Sequence, residues 1–169
     1  AGDENRYYEG PIFVFPTYRL RTPSKITGSA AYIINKKGLI SIDFAKKDYS
    51  NTEFKNTNIN NFRELNSQMS TELKNAYEVR IGGEYKIKQW SLRGGYRFEE
   101  SPYETGDIVG DLTGYSAGVG YNFGESRLDV SYANSHRNYN QNLISSGMTD
   151  AARIRNVQNN VTVTYSINF

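Results

Sequence analysis

Charged residues that alternate with apolar ones are the part of this sequence best suited to chemistry. In 77–87 and 90–99, acids and bases recur at alternate positions, interrupted by Gly82, Ser91 and Gly95. A guanidinium at such a position can donate two parallel hydrogen bonds to a carboxylate, either of the protein or of a ligand. With two further strand-like stretches, the charged set comprises Asp43, Glu78, Arg80, Glu84, Lys86, Arg93, Arg97, Glu99 and Asp129.

Other catalytic or metal-binding patterns are missing from the sequence. His136 is the sole histidine and has Arg137 as its neighbour, and the chain contains no cysteine. A histidine-based triad, a thiolate nucleophile and a zinc site of the usual ligands therefore have no basis here. We expect no enzymatic activity, no metal and no cofactor.

Composition limits the class of protein. Mean hydropathy is -0.68, and no run approaches the roughly 18 to 20 apolar residues of a membrane-spanning helix. Net charge is +2, with 20 basic and 18 acidic residues spread along the chain, so we expect no nucleic-acid partner. The 14 tyrosines, 8 phenylalanines and 15 glycines favour twisted β-structure over disorder or helices.

The elements that carry the charged set are predicted to be antiparallel strands. In 77–87, large apolar residues fill every odd position but Gly83, and charged residues fill every even position but Gly82, which is a period of two. The segment 90–98 repeats the pattern, and only Lys88 and Gln89 separate the two, as in a two-residue hairpin. The segments 115–123, 128–132, 26–34 and 40–44 alternate in the same way.

Links between the predicted strands are alternately short and long. The long, polar links are 52–75, 100–111 and 134–159. Short periplasmic turns, long extracellular loops and alternating strands are typical of outer-membrane β-barrels. We therefore predict that these three links are extracellular loops and that residues 1–10 are the remnant of another.

Glycines and aromatics distinguish a membrane barrel from a water-soluble sheet. A soluble sheet would bury the apolar parity in a core, yet the polar parity carries Gly82, Gly95, Gly118 and Gly120, which a solvent-facing sheet does not need. Aromatic residues also gather near the short turns, as in the aromatic girdle at a membrane interface. They are Tyr85, Trp90, Tyr121, Phe123 and Phe169.

The final stretch "NNVTVTYSINF" alternates up to an aromatic last residue. Many outer-membrane barrels end in this way, and the barrel assembly machinery is thought to bind that end. We predict an assembly signal at Tyr165, Ile167 and Phe169.

Inside such a barrel the charged set would line the lumen. One interpretation is a wall that orients a ligand carboxylate through Arg80, Arg93 or Arg97, with Glu84 as a further contact. The other is an ion-paired lining that only rigidifies the barrel, and the mixture of acids and bases favours it.

Three stretches resemble the FadL family of outer-membrane transporters for long-chain fatty acids and other hydrophobic compounds. They are "YRLRTPSKITGSAAYIINKKGLISIDFAKKDYSN" (18–51), "LKNAYEVRIGGEYKIKQWSLRGGYRFEESPY" (73–103) and the ending 114–169. The resemblance implies a fourteen-stranded barrel with an N-terminal hatch in a Gram-negative outer membrane, acting as a passive transporter. It also implies that substrate binds to parts absent from this chain.

The number of strands separates two architectures. Counting 11–34 as one strand kinked near Pro23 gives seven strands, the C-terminal half of a barrel of about fourteen. Splitting it into 12–20 and 26–34 gives eight, enough for a small closed barrel. Pro16 and Pro23 favour the kinked strand, because proline suits a bend or bulge.

These interpretations predict partners and leave one alternative function open. We expect outer-membrane lipids, the N-terminal half of the same barrel, the assembly machinery and a hydrophobic small molecule as partners. The alternative is a barrel that does not transport, either small and eight-stranded or a subunit of a complex that binds other outer-membrane proteins through its long loops.

Overall fold

The computed structural model describes residues 17–55, 60–141 and 150–168, without the side chains of Asn60 and Asn61. Nine strands, one α-helix and one 3-10 helix make up these residues. They are β1 Leu20–Arg21, β2 Ser24–Ile34, β3 Gly38–Asp48, the 3-10 helix Tyr49–Asn51, β4 Glu53–Phe54, α1 Asn60–Glu72, β5 Asn75–Ile87, β6 Trp90–Glu99, β7 Val109–Asn122, β8 Ser126–Gln141 and β9 Ala152–Ile167.

Seven strands form one antiparallel sheet in the order β2-β3-β5-β6-β7-β8-β9, so each strand pairs with the next long strand of the chain. Within the described ranges the sheet is not closed, and β2 and β9 are its edges. The all-β antiparallel architecture agrees with the sequence prediction. In these same ranges no helix is long and apolar enough to cross a membrane.

Short turns join the strands where the sequence predicted them. Ile87 pairs with Trp90 across the two-residue turn, and Lys88 takes a φ of 54°, which this tight turn requires. Gly124 in the β7–β8 turn has a φ of 104°, a conformation that favours glycine. The turns fix the register of the pairs on either side.

The segment before β2 differs from the predicted kinked strand. β2 begins directly after Pro23, while Leu20–Arg21 pairs with Glu53–Phe54 in a separate two-stranded sheet. Proline has no N–H to donate to a ladder and restricts the residue before it, which explains the break. The described residues thus form neither one kinked strand nor a closed eight-stranded barrel; residues 11–16 lie outside them.

The strands reach further than the sequence indicated. β8 runs to Gln141 and β9 begins at Ala152, so most of the described part of the predicted loop 134–159 is a paired hairpin. The predicted loop 52–75 contains β4 and α1, and β7 begins inside the predicted loop 100–111. Residues 1–10 lie outside the described residues. That these links are extracellular stays a prediction.

One face of the sheet is apolar and exposed. Among the described residues only Ala45 and Ala76 are buried apolar side chains. Large residues of the apolar parity remain open, for example Val163 at 63%, Tyr115 at 56% and Ile81 at 45% exposure. A water-soluble sheet would cover such a surface, so this face suits a hydrocarbon environment.

Two rows of aromatic residues cross the apolar face diagonally. The loop-side aromatic row runs from β5 to β8, and each member lies two residues nearer the turns than the one before it: Phe98 pairs with Val79, Tyr115 with Tyr96 and Tyr132 with Ala117. The turn-side aromatic row shifts by the same step. The loop-side row is Tyr77, Phe98, Tyr115 and Tyr132, and the turn-side row is Tyr85, Trp90 and Phe123.

The two rows are eight residues apart on β5, β6 and β7 alike. Eight residues span about 27 Å along a strand, or about 20 Å along the membrane normal at a tilt of about 40°, near the roughly 25 Å apolar band of such barrels. When strands about 4.8 Å apart tilt by this angle, residues at the same height on neighbouring strands are offset by about one to two residues. Both rows therefore become level when the strands tilt as in a barrel.

The predicted turn-side girdle is partly assembled in the structure. The rings of Trp90 and Tyr121 are 4.8 Å apart, and those of Tyr121 and Phe123 are 4.7 Å apart. Tyr85 lies opposite Leu92, two residues from Trp90, and so belongs to the diagonal rather than to the same row of pairs. Phe169 lies outside the described residues.

Candidate functional site

The polar face of the sheet carries the charged set. Residues that lie directly opposite one another on successive strands form a rung, and the polar-face rungs collect side chains from β2 to β9. A hollow of about 650 Å³ on the sheet is lined by residues of β3 and of every strand from β5 to β9. This face is the candidate site.

Near the long links, two carboxylates share five cations in what we call the loop-side ion cluster. Its members are Glu78, Glu99, Lys25, Lys47, Arg80, Arg97 and Arg137.

Glu78 is the most buried member of this cluster. Its side chain is 3% exposed and forms ion pairs with Lys25 Nζ at 3.3 Å and Lys47 Nζ at 3.5 Å. Arg97 Nη2 lies 3.5 Å from Glu78 Oε1, and Arg80 donates a hydrogen bond to the same carboxylate. A buried carboxylate needs such partners, because leaving it unpaired is costly.

Glu99 forms ion pairs with three of the five cations, and it shares Lys47 and Arg97 with Glu78. Arg97 Nη2 is 2.7 Å from Glu99 Oε2, Lys47 Nζ is 3.4 Å from Oε1, and Arg137 Nη2 is 3.5 Å from Oε1. Arg97 Nε and Arg137 Nε are buried without a hydrogen-bond acceptor among the described residues. The cluster therefore has more cations than carboxylates and has guanidinium donors to spare.

Near the short turns, a second group forms the turn-side ion cluster of Glu84, Arg93, Arg127 and Asp129. Arg93 bridges both acids, with Nε 2.9 Å from Glu84 Oε2 and Nη1 2.7 Å from Asp129 Oδ1. Arg127 Nε lies 2.9 Å from Asp129 Oδ2. A Cβ at Gly120 would come 2.2 Å from Asp129 Oδ1, so glycine leaves the room that this ion pair occupies.

A rung of small residues separates the two clusters. It runs Ser41, Gly82, Gly95, Ser116 and Ala133 from β3 to β8. A Cβ at Gly95 would lie 2.8 Å from Ser116 Oγ, which is too close. The glycines of the polar parity thus leave room for neighbouring side chains on the polar face. The sequence pattern placed these glycines on this face but did not show which side chains they make room for.

The structure distributes the four predicted contact residues over both clusters. Arg80 lies opposite Arg97, and Glu84 lies opposite Arg93. All four point to the polar face, and each forms an ion pair within the chain. This pairing favours the interpretation as a rigid ionic lining, and ligand binding by these residues stays a prediction.

Sequence reasoning missed the cations that complete the clusters. Arg137 was assigned to a loop, although it continues the odd parity of β8 from Arg127 and Asp129. Lys25 and Lys47 flank the apolar segments that were read as strands, and they lie opposite each other on β2 and β3. Extending each parity by one to five residues beyond the segments 26–34, 40–44 and 128–132 would have found all three.

The helix α1 packs against the small sheet beyond the loop-side ends of the strands. The Asn66 side chain accepts a hydrogen bond from the Phe54 N–H at 2.7 Å and donates one to its carbonyl at 2.9 Å, much as a neighbouring strand would. The Phe54 and Phe62 rings stack at 4.7 Å, and Tyr18 meets Phe54 edge-on at 5.5 Å. These contacts order part of the link between β3 and β5.

Ion pairs in the linking segments shift the pKa values of Lys74 and Glu53. The hydrogen bond from Lys74 Nζ to Glu100 Oε1 at 2.9 Å raises the pKa of Lys74. Hydrogen bonds from Lys55 and then Arg21 lower the pKa of Glu53. Lys74 directly precedes β5 and Glu100 directly follows β6, so their ion pair joins the loop-side ends of these two strands.

Comparison with known proteins places the chain in a family. The model of the family described as "Outer membrane protein transport protein (OMPP1/FadL/TodX)" matches residues 16–168, nearly the whole chain. No curated protein and no solved structure matches it. The family is one of transport proteins, in agreement with the expectation that the chain is not an enzyme. The two-faced antiparallel sheet, the aromatic rows and this match lead to one conclusion: the chain belongs to the OMPP1/FadL/TodX family of outer membrane transport proteins.

Proposed function

We propose that this chain is the C-terminal half of a barrel of about fourteen strands that moves hydrophobic compounds such as long-chain fatty acids passively across the outer membrane of a Gram-negative bacterium. The observation that carries the proposal is the family match over nearly the whole length of a sheet with one apolar and one ionic face. The open edges β2 and β9 support the half-barrel role, because unpaired strand edges in lipid are costly and the N-terminal half can pair with them.

The loop-side ion cluster is the place where a carboxylate substrate would be oriented. Its excess of cations and the 43% exposed side chain of Arg97 suit a carboxylate, which accepts from a guanidinium through both oxygens. Arg93 differs, since it bridges two acids of the turn-side ion cluster. Arg97 is therefore the strongest of the predicted contact residues.

Uptake of labelled oleate tests both steps. Cells that carry the complete barrel should take up more oleate than cells that lack it. Arg97→Gln should reduce oleate uptake about three- to tenfold, because one charge-assisted contact is lost, while uptake of oleyl alcohol should change little.

Arg93→Gln is the matched control, since it also removes an ion-paired arginine of the polar face. Equal losses of oleate and oleyl alcohol uptake in both variants would assign Arg97 a structural role. Equal oleate uptake with and without the complete barrel would contradict the transport function.

The assembly signal is a separate proposal. Tyr165 and Ile167 lie on the apolar face and are 61% and 54% exposed, so their side chains are open to a partner. Deleting Phe169 should lower the amount of folded barrel in the outer membrane severalfold, measured by heat-modifiable migration on gels. Asn168→Ala is the control, and an equal yield from both would contradict a signal at the aromatic terminus.

The interaction role remains the second candidate. The β8–β9 hairpin stays paired to Gln141 and Ala152, well beyond Tyr132 of the loop-side aromatic row. A paired hairpin that projects from the membrane can present a surface to another outer-membrane protein. Normal oleate permeability without the barrel, together with isolation of the barrel in a complex with such a protein, would favour this role.

A further inference from the structure

The β8–β9 hairpin continues its two faces beyond the loop-side aromatic row. On the apolar parity beyond Tyr132, the pairs are Asn134 with Asn159, His136 with Val157, Asn138 with Arg155, and Asn140 with Arg153. The first pair is joined by a hydrogen bond from Asn134 Nδ2 to Asn159 Oδ1 at 2.7 Å. On the turn side of Tyr132 this face is apolar and suits lipid, whereas on the loop side of Tyr132 it carries mainly hydrogen-bond donors.

Arg153 and Arg155 differ from the arginines of the polar face. Arg80, Arg93, Arg97, Arg127 and Arg137 each have a carboxylate partner. Neither Arg153 nor Arg155 has an ion-pair partner in 17–55, 60–141 or 150–168, and both are exposed. The one carboxylate within β8 and β9 is Asp129, which lies on the other face and near the turns.

The height of these arginines above the membrane indicates what surrounds them. Asn138 and Asn140, their partners on β8, lie six and eight residues beyond Tyr132. This corresponds to about 20 to 27 Å along the strand, or roughly 14 to 19 Å along the normal at a tilt of about 45°. Phospholipid head groups extend only about 5 to 8 Å beyond the hydrocarbon. Side chains that point outward at this height reach the saccharide region of a glycolipid leaflet.

We propose that Arg153 and Arg155, with the amides of Asn138 and Asn140, bind phosphate groups on the saccharide head region of the outer-leaflet glycolipid. Two adjacent guanidinium groups supply the planar pairs of donors that phosphate oxygens accept, and the amides supply two further donors. The outward face of the strands β8 and β9 carries no carboxylate, so within these two strands no acid competes with the lipid for the positive charge. The proposal goes beyond transport and requires only that the long links lie outside.

The test compares two double variants of the complete barrel in detergent. Arg153→Gln/Arg155→Gln removes two charges from the hairpin, and Lys36→Gln/Lys37→Gln removes two charges from the β2–β3 turn at the opposite end. The probes are phosphorylated lipopolysaccharide, the same lipopolysaccharide after dephosphorylation, and phosphatidylglycerol vesicles. Binding is measured as lipid retained per barrel after gel filtration.

The unmodified barrel and the lysine variant should retain phosphorylated lipopolysaccharide equally, and the arginine variant should bind it about ten- to thirtyfold more weakly. All three should bind dephosphorylated lipopolysaccharide weakly. Equal binding by the two variants, equal binding of the dephosphorylated form, or stronger binding of phosphatidylglycerol by the unmodified barrel would overturn the proposal. Oleate uptake by the same variants reports on transport separately, so a failure of either idea is recognised without the other.

Discussion

Ile81→Arg should make folding into a bilayer less favourable by about 2 to 4 kcal/mol. Ile81 lies on the apolar face midway between Tyr77 and Tyr85, four residues from each aromatic row, and its side chain is 45% exposed. An arginine there would place its charge near the bilayer midplane, where the cost is greatest. Folding of the complete barrel into phospholipid vesicles across a urea series measures the difference.

Thr164→Arg is the matched control for this substitution. Thr164 faces the polar side and lies opposite Asp129, so a new guanidinium would meet water and a carboxylate. Its effect should stay within about 0.5 kcal/mol. Val163→Arg, one residue away on the apolar face, should cost more than Thr164→Arg but less than Ile81→Arg, because Val163 lies near the level of the loop-side aromatic row. Equal tolerance of all three substitutions would refute the assignment of the faces.

The two faces were predictable from sequence because successive side chains of a strand point to opposite faces of the sheet. Parity alone assigned Ile81 and Arg80 to opposite sides, and the Lys88-Gln89 turn fixed how β5 meets β6. The short turns likewise predicted the hairpins β2–β3, β5–β6 and β7–β8. The pairs across the long links rested on the barrel interpretation instead.

The diagonal aromatic rows were not predictable from parity, because they depend on register across the long links. The eight-residue spacing of Tyr77 and Tyr85 is visible in sequence, but the offset between β6 and β7 depends on where the 100–111 link lets the two strands pair. The β6–β7 register is regular, from Trp90 with Tyr121 to Glu99 with Leu112, but only the assembled sheet shows it. Sequence reasoning grouped Tyr85 with Trp90 at one level; in the sheet they are offset by two residues and share a level only through the tilt of the strands.

The ion clusters failed to emerge from sequence for a related reason. Glu78 and Glu99 were assigned to the same face, but that they share Lys47 requires β3 to lie beside β5, across a link of more than twenty residues. Arg137 was lost because a polar, asparagine-rich stretch resembles a loop even when it is paired. A polar composition indicates exposure to water, and a paired strand outside the membrane is exposed to water just as a loop is.

Glu78→Gln should destabilise the folded barrel by about 3 kcal/mol, the second large effect we expect. The substitution keeps the shape of the side chain but removes the charge that Lys25, Lys47, Arg80 and Arg97 surround. Lys25 and Arg80 would then lose their ion-pair partner in the loop-side ion cluster, and Lys47, Arg97 and Arg137 would share Glu99. Because Glu78 is 3% exposed, water does not replace the lost carboxylate well.

Urea unfolding of the complete barrel in vesicles measures this change against two controls. Glu84→Gln should cost less, about 1 kcal/mol, because Arg93 keeps Asp129 as a partner and Glu84 is 24% exposed. Glu125→Gln in the β7–β8 turn should have no measurable effect. If Glu78→Gln were as mild as Glu125→Gln, lumen water would be screening the cluster and the ionic lining would contribute little to stability. A large loss for Glu78 and small ones for the controls would instead show that the stability of the polar face depends on the loop-side ion cluster.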